Sequence, residues 1–571
     1  MSRPIFLVLL MGLTFSLPVM AQNIETSTLK EKSIENFYAR FDGPKMQGGF
    51  AFAVIENGQV IFKKGYGLAD VENAVPFTPS TVCDFASLSK QFTGFAVARL
   101  ISEGLISPDD NIRKYLPEIP DFGSPLTVRH LLGHTSGLRD FIPLLKLAGR
   151  QDGDVITDEY LMKLIAKQKA LNFKPGEHHY YCNTGYFLLA HIVSRITGLP
   201  FGEWMQKNVF APLGMESTQY LDKPGKIIRN RARSYSRNSV GRYQAMSDNL
   251  SAVGSSSLFS SLDDMTKWAM NLMTHHVGEK EWFDKMIEPT VLNTGKKIAY
   301  NFGLETGSRD SRRYLRHGGS WGGFLSDVIC FPEEKAAVVL ITNMDPLEVP
   351  VTDKVLEILF APPPVSLNKT DMVINADKPR KPVRKEILDG YVGKYASKID
   401  GKNFFYLFAD VEVTLENLVL HASWSQDNKL FAETDHKFFV VGAENTYEFL
   451  YDGIDQRLKL IVGFNGKEYL FQRIFPQIQN RYEAEAYIGT YYSDELSVAY
   501  TLRIIENQLV FQSLQNEDIP LSWIGPDIFV TNKNWFREVT FIKDAEGRIE
   551  GFNLQTDNGN ISKNIHFLKR K

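Results

Sequence analysis

Apolar and polar positions change period several times along the chain, and each change predicts an element. Strand-like runs at 49–55 and 59–63 flank Asn57-Gly58, which predicts a hairpin around a tight turn. Phe85, Leu88, Phe92, Phe95 and Ala96 then follow a helical spacing. Residues 186–196 predict a second helix, closed by Gly198 and Pro200, and 263–273 a third. Runs at 328–331 and 336–341 predict paired strands joined by Pro332-Glu333-Glu334. Strands and helices therefore mix across one large unit, 33–360, of the α/β (α+β) class.

The pattern changes after that unit. Ala361-Pro362-Pro363-Pro364 and a Lys- and Pro-rich stretch to 385 predict a linker that is semi-rigid at its start. Beyond it the chain repeats. Tyr391-Val392-Gly393-Lys394-Tyr395 recurs as Tyr487-Ile488-Gly489-Thr490-Tyr491, and Phe471-Gln472-Arg473 as Phe567-Leu568-Lys569, both at an offset of 96. Each copy holds short alternating runs, such as 411–415, 447–451, 509–511 and 539–541, between Gly, Asn and Asp turns. That is chain enough for about eight antiparallel strands, hence two small lipocalin-like β-barrels at 386–474 and 482–571.

At the start, Arg3 precedes an apolar run at 5–17, and Val19-Met20-Ala21 suits a signal peptidase. Residues 1–21 are thus expected to be a cleaved signal peptide, with a retained anchor as the alternative. The run is short for a bilayer span, and no cysteine follows it for lipidation. The mature chain is expected in the periplasm or outside the cell, without stable membrane insertion. Hydrophobic residues at 43% and charged residues at 23% describe a folded protein, not a disordered one. A formal charge of −3 gives no electrostatic reason for a nucleic-acid partner. Cys83, Cys182 and Cys330 lack C-x-x-C spacing, which excludes a disulfide framework and points to buried thiols.

The chemistry sits in short motifs. Ser87-Leu88-Ser89-Lys90 places serine and lysine three apart, on one face of a helix. A serine hydroxyl needs a neighbouring base to attack a carbonyl, and a lysine shielded from water supplies one. The same spacing at Ser27-Lys30 and Ser366-Lys369 lies where no pocket can be built. Ser87 alone opens a helix, expected to be amphipathic, whose first N–H groups can meet an oxyanion. Further along come Leu126-Thr127-Val128-Arg129-His130-Leu131-Leu132-Gly133-His134-Thr135-Ser136-Gly137-Leu138, then Tyr181-Cys182-Asn183, then Arg316-His317-Gly318-Gly319-Ser320-Trp321.

In that order, over roughly 36–360, these segments resemble the serine β-lactamase and penicillin-binding-protein superfamily. The resemblance is strongest to its class C β-lactamase, D-aminopeptidase and esterase branch. It implies the β-lactamase-like transpeptidase fold, with Ser87, Lys90 and Tyr181 catalytic. Tyr181 is expected to be a phenolate or shared-proton base with its pKa lowered by Lys90, the two titrating as one pair. Asn183 is expected to orient the substrate amide and the lysine. Backbone N–H groups of Ser87 and Ser320 would form the oxyanion hole beside Gly319. His317 stands on an edge strand where penicillin-recognising members carry lysine, which weakens β-lactam hydrolysis.

The expected function is an exported serine hydrolase working through an acyl-enzyme on Ser87, as a peptidase or amidase of D-aminopeptidase or DD-peptidase type. A carboxylesterase or weak β-lactamase of the same fold is the alternative, and a non-catalytic, acylatable penicillin-binding sensor the rival of another class. No cofactor is implied, and the partner is a small peptide, amide or ester. Zinc at His130, His134 and Glu177-His178-His179 lacks the H-E-x-x-H arrangement. Cys182 as a nucleophile would need a histidine against it.

Overall fold

The computed structural model describes residues 28–41, 46–238, 241–360, 378–399, 405–413, 418–422, 428–441, 443–451, 458–464, 467–475, 481–556 and 562–570. The expected signal peptide and most of the expected linker lie outside these residues.

The hairpin forms as Gly49–Glu56 and Gln59–Asp70. Asn57 and Gly58 both take positive φ, 52° and 76°, the geometry that matches the twist of the flanking strands. These strands belong to an eight-stranded antiparallel sheet. Its order runs Tyr300–Asn301, Leu304–Arg309, Arg312–Trp321, Phe324–Phe331, Ala336–Thr342, Gly49–Glu56, Gln59–Asp70, Val75–Pro76. Gly49–Glu56 is buried on both faces, and its alternation divides it between two cores. Ala51, Ala53 and Ile55 join the larger core with Phe85, Leu88 and Phe92. Phe50, Phe52 and Val54 pack with Ile34, Tyr38, Val355 and Leu359 from helices on the opposite face.

Three helices on the larger core's side follow the predicted periods: Ser89–Ser102, Asn183–Thr197 and Leu262–Thr274. Gly198 closes the second at φ 71°, as its sequence position suggests, and Ser261 caps the third by accepting the Asp264 N–H. The first differs from expectation. Every residue from Ser89 to Ala98 is buried, so this helix is not amphipathic. It runs through the middle of the unit, and its polar side chains have internal partners. Ser89 Oγ meets Tyr220 OH at 3.2 Å, and Gln91 Oε1 accepts Trp268 Nε1–H at 2.7 Å.

The C-terminal third is antiparallel β, as expected. Eight strands from Gly393–Ile399 to Lys467–Ile474 form a closed barrel, with Lys394 opposite Ile474 at the seam. The second expected barrel forms as a nearly closed one: a nine-stranded sheet whose two edges are Ile519–Pro520 and Ser522–Gly525. Those edges are consecutive in the chain, with only Leu521 between them. One strand bends there and pairs with a different neighbour on each side of the bend. The repeat is visible in detail. Helices Lys385–Tyr391 and Arg481–Tyr487 precede the two units at matching positions. Tyr395 OH donates to Tyr391 O, and Tyr491 OH to Tyr487 O.

The second β unit packs firmly on the α/β unit. Tyr491, Leu502 and Phe552 share the larger apolar core. Arg139 forms a buried ion pair with Glu495, the two side chains 0% and 3% exposed. Among the described residues no helix is long and apolar enough to cross a membrane.

Candidate active site

Strand Val82–Asp84 leads into a single 3-10 turn, Ala86–Leu88, which runs straight into helix Ser89–Ser102. Ala86 holds φ 50°, a left-handed conformation uncommon for a residue with a Cβ, and Asp84 Oδ1 accepts its N–H at 2.7 Å. Ser87 is therefore presented at a sharp corner. Lys90, one turn on, is fully buried beneath it. Its Nζ contacts Ser87 Oγ at 3.1 Å, Asn183 Oδ1 at 2.8 Å and Ser255 O at 2.7 Å. Burial pulls its pKa from 10.5 down to about 7, and the Asp140 carboxylate opposes that shift.

Tyr181 lies on the segment entering helix Asn183–Thr197, with Lys90 Nζ 4.9 Å from its ring centre. Its hydroxyl is buried without a well-formed hydrogen bond. The expected lowering of the Tyr181 pKa is not found. Burial raises it well above 10, and neighbouring Ser87 only partly offsets this. Burial disfavours the charged form of each group, the ammonium of Lys90 and the phenolate of Tyr181, so it lowers the lysine pKa and raises the tyrosine pKa.

Asn183 faces Lys90 because Asp140 holds it: the Asp140 Oδ2 accepts the Asn183 backbone N–H at 2.5 Å and Nδ2–H at 2.9 Å. Asp140 is also the N-cap of helix Phe141–Leu147. Asp140 and Ser255 were not foreseen. Asp140 is 43 positions from Asn183, and no local pattern links them.

His317 is buried in strand Arg312–Trp321, with both ring nitrogens occupied. Nδ1 lies 2.6 Å from Gly318 O, so it carries the proton, and Nε2 accepts from Tyr300 OH at 3.1 Å. Burial and the nearby Lys90 charge lower its pKa to about 3. Tyr300 was also unforeseen. The strand is third from the sheet's end, yet its neighbour's pairing stops at Glu305–Arg316, so residues 317–321 are a local edge. A Cβ on Gly319 would come within 2.2 Å of Phe85 O. Glycine is what lets this strand close on the Ser87 turn.

Ser87, Tyr181, Asn183, His317, Gly319 and Ser320 all line one cleft of about 860 Å³. The other candidates do not line that cleft, although the His134 ring packs on Tyr181 with the centroids 4.3 Å apart. His130 Nδ1 is engaged by Thr127, while His134 Nδ1 accepts the Cys182 N–H at 3.1 Å. The Cys182 thiol is buried, donates to Leu138 O, and is pushed up to about 12 by burial.

The chain was compared with known proteins. Residues 39–361 match the family model described as Beta-lactamase. A D-aminopeptidase of Brucella canis is 25% identical over 379 residues, 66% of this chain and 68% of that protein. One of Gluconobacter oxydans is 29% identical over 313 residues, 55% and 58% of the two chains. Among solved structures, the octameric penicillin-binding protein homologue from Pyrococcus abyssi superposes with a TM-score of 0.52 at 25% identity. It covers 78% of this chain and 99% of its own. With more than half its length inside that family model, the chain belongs to the beta-lactamase family and is a serine hydrolase.

Proposed function

We propose that this serine hydrolase is a peptidase or amidase in which Ser87 forms the acyl-enzyme. The observation that carries the reading is the environment of Lys90. Its Nζ has two fixed acceptors, Asn183 Oδ1 and Ser255 O, and a third neighbour, Ser87 Oγ. A neutral amine gives its two N–H bonds to the fixed acceptors and turns its lone pair to the serine hydroxyl. With a pKa of about 7, that neutral form is well populated at neutral pH.

Lys90 then takes the Ser87 proton as Oγ attacks the substrate carbonyl. The oxyanion is met by the N–H groups of Ser87 and Ser320. Tyr181, neutral because of its raised pKa, relays a proton from Lys90 to the leaving amine. Water cleaves the acyl-enzyme by the reverse relay. Asn183 keeps Lys90 aimed and presents its remaining amide N–H to the substrate. The neutral His317 offers no fixed charge for a β-lactam carboxylate, which favours amides, peptides and esters lacking one. The D-aminopeptidase relatives support an amide substrate, with an N-terminal D-residue as the first choice.

The test is hydrolysis of paired L- and D-aminoacyl amides and esters by the wild type and Ser87→Ala. Turnover favouring D-amides, lost in Ser87→Ala with no acyl adduct by mass spectrometry, is the expected result. Equal turnover by both proteins removes Ser87 as nucleophile. Export rests on the apolar run at 5–17, and N-terminal sequencing of the mature protein checks for cleavage after Ala21.

A further inference from the structure

The two arms of the oxyanion site come from different sheets. Ser87 follows Val82–Asp84, which pairs with Leu258–Ser261, whereas Ser320 lies in the eight-stranded sheet. One link between them is Ser326 Oγ donating to Phe85 O at 2.8 Å. The other runs through two buried acids. Asp84 Oδ1 holds the Ala86 N–H at the corner before Ser87. Asp248 Oδ1 accepts Trp321 Nε1–H at 3.1 Å, directly after Ser320.

The remaining oxygens, Asp84 Oδ2 and Asp248 Oδ2, are both buried and have no hydrogen-bond donor. Each carboxyl group is a side-chain hydrogen-bond neighbour of the other. Two contacting carboxylates cannot both stay ionised away from water, and a single proton between them satisfies both orphaned oxygens. We propose that Asp84 and Asp248 share one proton and thereby clamp the Ser87 turn to the Ser320 strand, as positioning residues for the hydrolytic reaction.

The surroundings fit one proton, not two or none. Arg231 is the facing cation, its guanidinium 3.6 Å from Asp248 Oδ2 and bonded to Asp248 O at 3.0 Å. It compensates one negative charge. The other ionisable neighbours, Cys83 on the same strand and Tyr220 two strands away in that sheet, are neutral: burial raises both pKa values, and Asp84 raises them further. Burial likewise raises both acids, with Arg231 opposing.

The proposal rests on Ser87 being the nucleophile, but its first test does not. Infrared spectra of the full chain carrying ¹³C-carboxyl aspartate should show a protonated carboxyl band at pH 8, where exposed aspartates are ionised. Asp84→Asn and Asp248→Asn should each remove or shift that band. Absence of the band in the wild type, or an identical band in both variants, overturns the shared proton whatever the turnover. In ester hydrolysis, Asp248→Ala should lower kcat about tenfold or more with KM little changed, because the lost alignment is felt most by the oxyanion. Asp248→Asn, whose amide can donate to Asp84 Oδ2, should restore most of that kcat. Unchanged kcat in Asp248→Ala overturns the positioning role. If Asp248→Ala does not fold, the infrared comparison decides alone.

Discussion

Asp140 takes two hydrogen bonds from Asn183 on one carboxylate oxygen, and that grip turns the Asn183 carbonyl toward Lys90. Charge-assisted bonds of this kind contribute about 1.5–3 kcal/mol each. Asp140→Ala should therefore lower kcat/KM about tenfold or more, while Ser87 remains able to react slowly with a fluorophosphonate. Wild-type kcat/KM in the variant would show that Asn183 orients itself.

In the proposed mechanism, Lys90 sets the acid limb of activity. If its neutral form accepts the Ser87 proton, kcat/KM should rise with pH through about 7 and then level off. The same group shapes stability. Its folded pKa lies below the ordinary 10.5, so between about 7 and 10.5 the unfolded chain binds more protons than the native one. Wild-type stability relative to Lys90→Met should therefore rise with pH across that window and stay flat below it. Denaturant titrations at pH 6, 8 and 10 check the sign.

In the proposed relay, Lys90 and Tyr181 act on one proton. Lys90→Ala and Tyr181→Phe should each lower acylation by a factor of about a hundred or more. The double variant should lose little beyond the worse single one. A double loss equal to the product of the two would mean that they work independently.

Glu495 is the only carboxylate hydrogen-bonded to the buried Arg139 among the described residues, and Arg139 adjoins Asp140. Glu495→Ala strands a buried cation and should destabilise the protein by about 3–5 kcal/mol, read by denaturant unfolding. Truncation near Ala361 removes Glu495 together with apolar contacts at Tyr491 and Phe552. A truncated chain is thus expected to fold poorly, so any influence of the β units on substrate size is better read from surface substitutions.

His317→Lys probes substrate choice. The imidazole is neutral and fully bonded, to Gly318 O and Tyr300 OH. A lysine there brings a charge into the cleft, and acylation by benzylpenicillin should rise relative to ester hydrolysis. A proportional fall of both activities, with the circular dichroism spectrum unchanged, would assign His317 to packing.

Much of this molecule was legible along the chain because local physics wrote it there. Asn57-Gly58 sets a hairpin twist, Gly198 ends a helix, and a serine three residues before a lysine meets it one helical turn later. The offset of 96 likewise announced two similar β units, since a repeated sequence repeats its strand pattern.

What the sequence could not reveal depends on distance and on water. Asp140, Ser255 and Tyr300 serve residues far away in the chain, and only packing brings them within hydrogen-bond reach. The acid–base assignment was decided the same way. The family resemblance suggested a tyrosine made acidic by a lysine, whereas burial drives the Lys90 pKa down and the Tyr181 pKa up. Strand closure too was a tertiary matter, because a bend at Leu521 leaves the second β unit joined through its backbone instead of through a hydrogen-bonded seam. Residue types and spacings determined which groups could react. Desolvation and long-range contact, which have no local signature, decided which of them holds the proton.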